Sequence, residues 1–343
     1  MRDRMMGFYG DQILINGQAN FKLDVASRAY RFRVLNGSTA RIYKLAWDDN
    51  TPLTVIGTDG GLLETPVNKP YLMLAPAERL DLWVDFSGRK VGSQLVLRSR
   101  SFSGALPAMA GRMMGGHHGG GLVMGSDYPL LSVKVTREIS DSPKLPSSLS
   151  KISRYQLGGT ANPKQPVPIA ISEGPMRMVL NGKPYAYNDP LPSDRIPVNT
   201  VQLLEIFHEQ SGHGMGNGND DEHGVGHGMG GGMGMGRGMG RGMGGGMGMG
   251  GGGMGMNMSM AHPIHLHGQY FLILSRNQTA SSEAYGTVKD GFVDNGWKDT
   301  VLVMPGETIK IIKPFEDFKG LFMYHCHNLE HEDMGMMREF LVQ

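Results

Sequence analysis

Six of the twelve histidines and the only cysteine lie in two short segments, residues 262–268 (HPIHLHG) and residues 325–337 (HCHNLEHEDMGMM). A thiolate, two imidazoles and a weak thioether form the soft donor set that selects copper for electron transfer. Cys326, His262 and His331 can supply the thiolate and the two imidazoles. Met336 follows the cysteine by ten residues, beyond a turn at Gly335, and can supply the axial thioether; Met337 is its nearest competitor. An isolated cysteine is ordinarily a small buried hydrophobe, but a core thiol has no use for a histidine on each side. Zinc also accepts cysteine and histidine. A structural zinc site, however, closes with four ligands and leaves His325 and His327 without a purpose.

The elements that position these residues follow from local pattern. The apolar segment 321–324 leads into His325, so Cys326 falls on or at the end of a strand. Side chains alternate between the faces of a strand, which sends Cys326 one way and His325 and His327 the other. One strand then serves two sites. His265 and His267 are likewise two apart and share a face, while His262 at the far end of HPIHLHG can turn towards the cysteine. The expectation is one complete site (His262, Cys326, His331, Met336) and half of a second (His265, His267, His325, His327).

The scaffold around them reads as all-β. Short runs rich in β-branched and apolar residues, at 12–15, 30–35, 53–57, 80–85, 94–98 and 131–135, alternate with turn signals such as Asn36-Gly37, at spacings typical of a sandwich. With 343 residues there is chain enough for two domains. The expected division is 1–136, a Ser-, Pro- and Lys-rich linker over 137–166, and 167–343. An internal repeat supports it: residues 13–18 (ILINGQ) recur as 178–183 (MVLNGK), and 74–84 (LAPAERLDLWV) resembles 303–313 (VMPGETIKIIK). Where the second half has HPIHLHG the first has RIYKLAW, so the first half is expected to pack and position, and the second to hold metal.

Thirty-three basic against 32 acidic residues leave a formal charge of +1, which excludes a broad field for nucleic acid or an anionic membrane. No apolar run approaches the roughly 18 residues of a membrane span, and the N-terminal residues lack the apolar stretch of a signal peptide. One cysteine makes no internal disulfide. Residues 208–260 form a Gly-Met-rich tract with twelve methionines. So much glycine makes ordering costly, so an insertion over about 209–260 is expected to stay outside the core, carrying His208, His213, His223 and His227 with it. Soft thioethers favour Cu(I), which makes Met256, Met258 and Met260, next to His262, candidate donors for a cuprous substrate.

HPIHLHG together with HCHNLEHEDMGMM resembles the C-terminal domain of the multicopper oxidases, of the Met-rich laccase or cuprous oxidase kind, and the resemblance extends over nearly the whole chain. It implies two tandem cupredoxin-like Greek-key β-sandwiches, corresponding to domains two and three of a three-domain enzyme. It further implies a type 1 copper on His262, Cys326, His331 and Met336, a lone cluster copper on His265, and a coupled pair on His267, His325 and His327. The remaining cluster histidines would come from a partner N-terminal cupredoxin domain that this sequence lacks; without it, a copper-binding or electron-transfer module is the alternative. The implied reaction couples one-electron oxidation of Cu(I) or small phenols to reduction of dioxygen, in the periplasm or outside the cell, with a role in copper homeostasis. Among the acidic residues, Asp299 (in GWKDT) and Glu332 read either as solvated charges or as groups that orient ligands or carry protons, and the resemblance favours Glu332 for a proton relay.

Overall fold

Strict alternation organises the strands. Along Arg79–Asp85 the side chains of Leu80, Leu82 and Val84 are buried while their neighbours face outward, the period-two pattern of a sheet packed on one face. The computed structural model describes residues 2–107, 122–174, 177–209, 259–279 and 282–343. Within them, the first half builds a five-stranded sheet in the order Lys22–Ala26, Tyr128–Arg137, Gln94–Ser99, Tyr43–Trp47, Leu72–Leu74 and a four-stranded sheet in the order Ala29–Leu35, Arg79–Asp85, Leu53–Thr58, Gly61–Lys69. Val25, Leu45, Leu95 and Val133 from one sheet meet Val55, Leu80, Leu82 and Val84 from the other in a single apolar core.

The second half repeats the arrangement with two five-stranded sheets. One runs Arg177–Leu180, Val167–Gly174, Thr200–His208, Glu307–Phe315, Leu272–Gln278; the other Arg195–Ile196, Met337–Val342, Gly320–Cys326, His262–Leu266, Thr300–Val303. Ile169, Leu204 and Ile309 pack from the first against Ile264, Val301, Tyr324 and Phe340 from the second. Both halves are thus β-sandwiches. A third apolar cluster joins them, with Ile42, Met73 and Phe102 of the first meeting Ala261, Leu302 and Met304 of the second. Residues 138–166 contain no strand, only the 3-10 turn Leu157–Gly159. No helix among the described residues is long and apolar enough to cross a membrane.

The six expected strands are present, most of them longer than the sequence pattern indicated; the last runs over Tyr128–Arg137. The expectation that His208 belongs to the Gly-Met tract is wrong. His208 closes the strand Thr200–His208, whose Phe207 pairs with Thr308; the β pattern of VQLLEIF simply carries one residue further than composition suggested. Met260 is also buried in the core rather than displayed on a loop.

The sequence repeat is a structural one. Asn16-Gly17 and Asn181-Gly182 both adopt left-handed conformations (φ 51° and 77°, 52° and 69°), the geometry that favours Asn-Gly in tight hairpins. Glu78 and Glu307 each accept a hydrogen bond from the amide three residues back, Ala75 at 2.8 Å and Met304 at 2.9 Å. Each buried carboxylate also meets a buried cation: Lys298 lies 3.2 Å from Glu78, and Arg276 lies 3.3 Å from Glu307. Lys298 crosses between the halves, since it also lies 3.1 Å from Asp59. Burial alone would push its ammonium down, but Asp59 and Glu78 outweigh that and hold it well above the ordinary lysine range. Removing one partner of a buried charge set strands the others, so Lys298→Met is expected to cost about 3 kcal/mol in urea unfolding; an unchanged midpoint would show that the two carboxylates find other compensation.

Candidate metal centre

Antiparallel pairing places Ile264 opposite Cys326, His265 opposite His325, and Leu266 opposite Tyr324. Directly opposed residues share a face, so Cys326 faces the sandwich core with Ile264, and His262, two residues before Ile264, joins that face. His325 and His265 point to the other side. The pairing thus turns Cys326 and His262 to one face and His265 and His325 to the other.

On the core face, the His262 Nδ1 atom lies 3.5 Å and the His331 Nδ1 atom 3.7 Å from Cys326 Sγ, and the donor atoms of these three buried residues all lie within 4.8 Å of one another. His331 is delivered by the short helix Leu329–Asp333, which begins directly after the Cys326 strand turns at His327 and Asn328. Met336 is fully buried in the same core, and its carbonyl accepts a hydrogen bond from the Cys326 amide at 3.0 Å.

The outer nitrogens of both imidazoles are capped by groups that only accept. His262 Nε2 lies 2.9 Å from Glu173 Oε1, and His331 Nε2 lies 3.2 Å from the Met5 carbonyl oxygen. Each ring therefore keeps its proton on Nε2 and turns the Nδ1 lone pair towards the sulfur. Burial drives both imidazoles towards the neutral form, His331 down to about 3. Burial also pushes the Cys326 thiol far up, only partly opposed by the Asn328 amide 3.4 Å from the sulfur. A thiolate in this place therefore calls for a cation beside it. Two neutral nitrogen donors and one sulfur, with lone pairs converging and a buried methionine in the same core, fit copper.

Sequence reasoning missed Glu173 and the role of His208. Glu173 is buried at the end of Val167–Gly174 and accepts from the Met260 amide at 2.8 Å as well as from His262; its second oxygen lies 3.1 Å from His208 Nδ1. Burial would raise this carboxyl, but hydrogen bonds from His208 and His262 outweigh it and hold Glu173 ionised. The His208 side chain is 5% exposed, its ring centroid 5.7 Å from that of His262, and among the described residues its Nε2 has no hydrogen-bond partner. An acid placed among the apolar residues of IAISEG was the one visible signal. Met256 and Met258, like His213, His223 and His227, lie outside the described residues.

On the opposite face, the donor nitrogens of His265, His267 and His325 lie within 4.8 Å of one another, with the Nε2 atoms of His267 and His325 only 3.2 Å apart. His327 stands beside them, its ring centroid 5.4 Å from His325 and 5.7 Å from His265, but outside that three-residue group. Burial, then the neighbouring imidazoles, lower His267; burial lowers His325 to about 4 and His327 as well. His325 Nδ1 sits 3.2 Å from both the Cys326 carbonyl and Glu332 Oε2. The Glu332 carboxyl is raised by burial and by Asp333. Asp299 lies 3.6 Å from His265 Nδ1 and is gripped by both terminal nitrogens of Arg79 at 2.6 and 2.7 Å. Burial works against its charge, but His265 and Arg79 prevail and keep it ionised. Arg79 comes from the first half, and nothing in its local sequence marked it.

Comparison with known proteins agrees with this geometry. Residues 254–343 match the family model described as multicopper oxidase. The chain is 27% identical to the laccase of Bacillus subtilis, over 96% of this chain and 54% of that protein. It is 27% identical to the bilirubin oxidase of Albifimbria verrucaria, over 97% of this chain and 48% of that one. The chain thus spans about half the length of these curated relatives. Among solved structures, the McoA multicopper oxidase of Aquifex aeolicus superposes with a TM-score of 0.69 at 27% identity, covering 99% of this chain and 60% of that one.

Proposed function

We propose that the chain, whose residues 254–343 match the multicopper oxidase family model, forms the second and third cupredoxin-like parts of an oxidase that passes electrons singly from a reductant to dioxygen. When bound, copper supplies the one-electron redox chemistry, at His262, Cys326, His331 and Met336 for electron entry and at His265, His267, His325 and His327 for oxygen reduction. The observation that carries this reading is the pair of capped imidazoles whose Nδ1 atoms converge on Cys326 Sγ at 3.5 and 3.7 Å.

The protein's own groups do the rest. Glu173 and the Met5 carbonyl fix the ring orientations, and the packed core keeps water from the thiolate. Cys326 and His325 are adjacent in the chain, so the two faces of the sheet are linked by covalent bonds without any gap. Glu332, against His325 Nδ1, has the raised affinity for a proton that suits proton delivery, while Asp299, locked to Arg79, suits orientation. The remaining histidines of the second site belong in this reading to a further cupredoxin-like part, and the strand-free residues 138–166 lie between the two parts carried here.

For the reductant, the abundance of methionine before His262 and the buried Met260 beside Glu173 favour Cu(I), with small phenols as the second class. Met256 and Met258 would gather the cuprous ion. Such a substrate places the protein in the periplasm or outside the cell, in copper homeostasis. Copper content measured with oxygen uptake under a cuprous salt and under a diphenol tests the proposal. Copper beyond the single blue ion, with uptake on either reductant, supports the oxidase; one blue copper without uptake would instead make the chain an electron-transfer module.

A further inference from the structure

We infer that Arg79, contributed by the first half, fixes His265 with its proton on Nδ1 and its lone pair on Nε2. A guanidinium only donates. Arg79 Nη1 and Nη2 donate to Asp299 Oδ1 and Oδ2 at 2.6 and 2.7 Å, and a carboxylate held in that fork only accepts. The Thr300 hydroxyl lies 2.9 Å from Asp299 Oδ1 and must donate to it. Its oxygen then presents a lone pair to His265 Nδ1, 2.9 Å away, so that nitrogen must carry the proton. The Nε2 lone pair of His265 is left for the cluster with His267 and His325.

The starting point of this relay is itself held rigidly. The Arg79 amide donates to Asp59 Oδ1 at 2.8 Å, and its guanidinium also donates to the carbonyl oxygens of Asp59 and Ala77, both at 3.0 Å. Asp59 Oδ2 in turn accepts from the amides of Asp299 and Thr300 at 3.2 and 3.3 Å. Thr300 is completely buried, so water has no access through which to offer its hydroxyl another partner. Arg79 is therefore a positioning residue acting through two intermediaries. The inference rests on the proposed metal role of His265 only for its consequence; the proton position stands without copper.

The test reads that position directly. Long-range proton–nitrogen correlation spectra of the metal-free full chain, labelled with nitrogen-15 histidine and assigned with His265→Asn, should show His265 solely as the Nδ1–H form. Arg79→Met should convert it to a mixture of tautomers or to the Nε2–H form, and Arg79→Lys, which restores a donor-only cation, should recover most of the original form. Retention of a pure Nδ1–H ring in Arg79→Met, or a wild type with the proton on Nε2, overturns the inference. If Arg79→Met fails to fold, Thr300→Val leaves the ion pair intact and must produce the same loss; a pure Nδ1–H ring there also overturns it. Copper titration forms the second arm. Affinity at the three-histidine site should fall about 10–100-fold in Arg79→Met while the blue site is unchanged. A tautomer shift in a protein whose wild type binds no second copper would refute the copper reading of that site and leave the inference standing.

Discussion

Cys326→Ser is expected to abolish the strong visible colour expected of the copper-loaded chain. The colour expected of this site arises from charge transfer between a thiolate and Cu(II) held by two imidazoles in a trigonal arrangement. Cys326 Sγ has a ring nitrogen on each side, His262 Nδ1 at 3.5 Å and His331 Nδ1 at 3.7 Å. Serine is nearly the same size, and its hydroxyl can donate to one of those nitrogens, so the fold should persist while the donor is lost. The measurement is the absorption spectrum at equal copper content, with circular dichroism to confirm the sheet signal. An intact intense band in the variant would remove Cys326 from the site and the proposed function with it. Chelation followed by reloading should bleach and restore the wild type.

Lys313→Met should stabilise the copper-free chain by about 4 kcal/mol at pH 6. Lys313 is 1% exposed, on the strand Glu307–Phe315, and its ammonium donates to the Gln269 carbonyl with no carboxylate in ion-pair range among the described residues. Burial pushes its proton affinity down to about 7 from the ordinary 10.5, with distant Asp299 only partly opposing. At about 1.4 kcal/mol per pH unit, the charged form carries a cost that methionine removes, less about 1 kcal/mol for the lost hydrogen bond. The sign fixes the pH window. Below the folded value both states hold the proton, and the full penalty falls on the folded chain. Between about 7 and 10.5 the unfolded chain binds the extra proton, so wild-type stability climbs with pH and the advantage of the variant shrinks. Urea midpoints at pH 6 and pH 9.5 check this, and an advantage that does not fall with pH would show the amine is already neutral at pH 6.

What the sequence disclosed was whatever depends on near neighbours. Period-two alternation separated Cys326 from His325 and His327, because the pleat acts over adjacent residues. The Asn-Gly pairs and the APAE/MPGE turns announced the duplication for the same reason. Glu173, by contrast, reaches His262 across 89 residues and Arg79 reaches Asp299 across 220; no local pattern encodes such meetings, which depend on how sheets stack. His208 was misplaced because the composition of the residues after it outweighed the strand pattern before it. Lys313 reads as one polar position in an alternating strand, and only the packing of Phe315 and Phe322 around the same cavity shows that it faces inward.

The pairing of Ile264 with Cys326 and of His265 with His325 limits how this gene can change length. Because neighbouring positions in each strand face opposite sides of the sheet, inserting or deleting a single residue within His262–Leu266 or Gly320–Cys326 would move imidazoles from one face to the other. Changes of two residues would preserve the faces while sliding the rows past each other. The two donor-bearing strands are thereby confined to substitution.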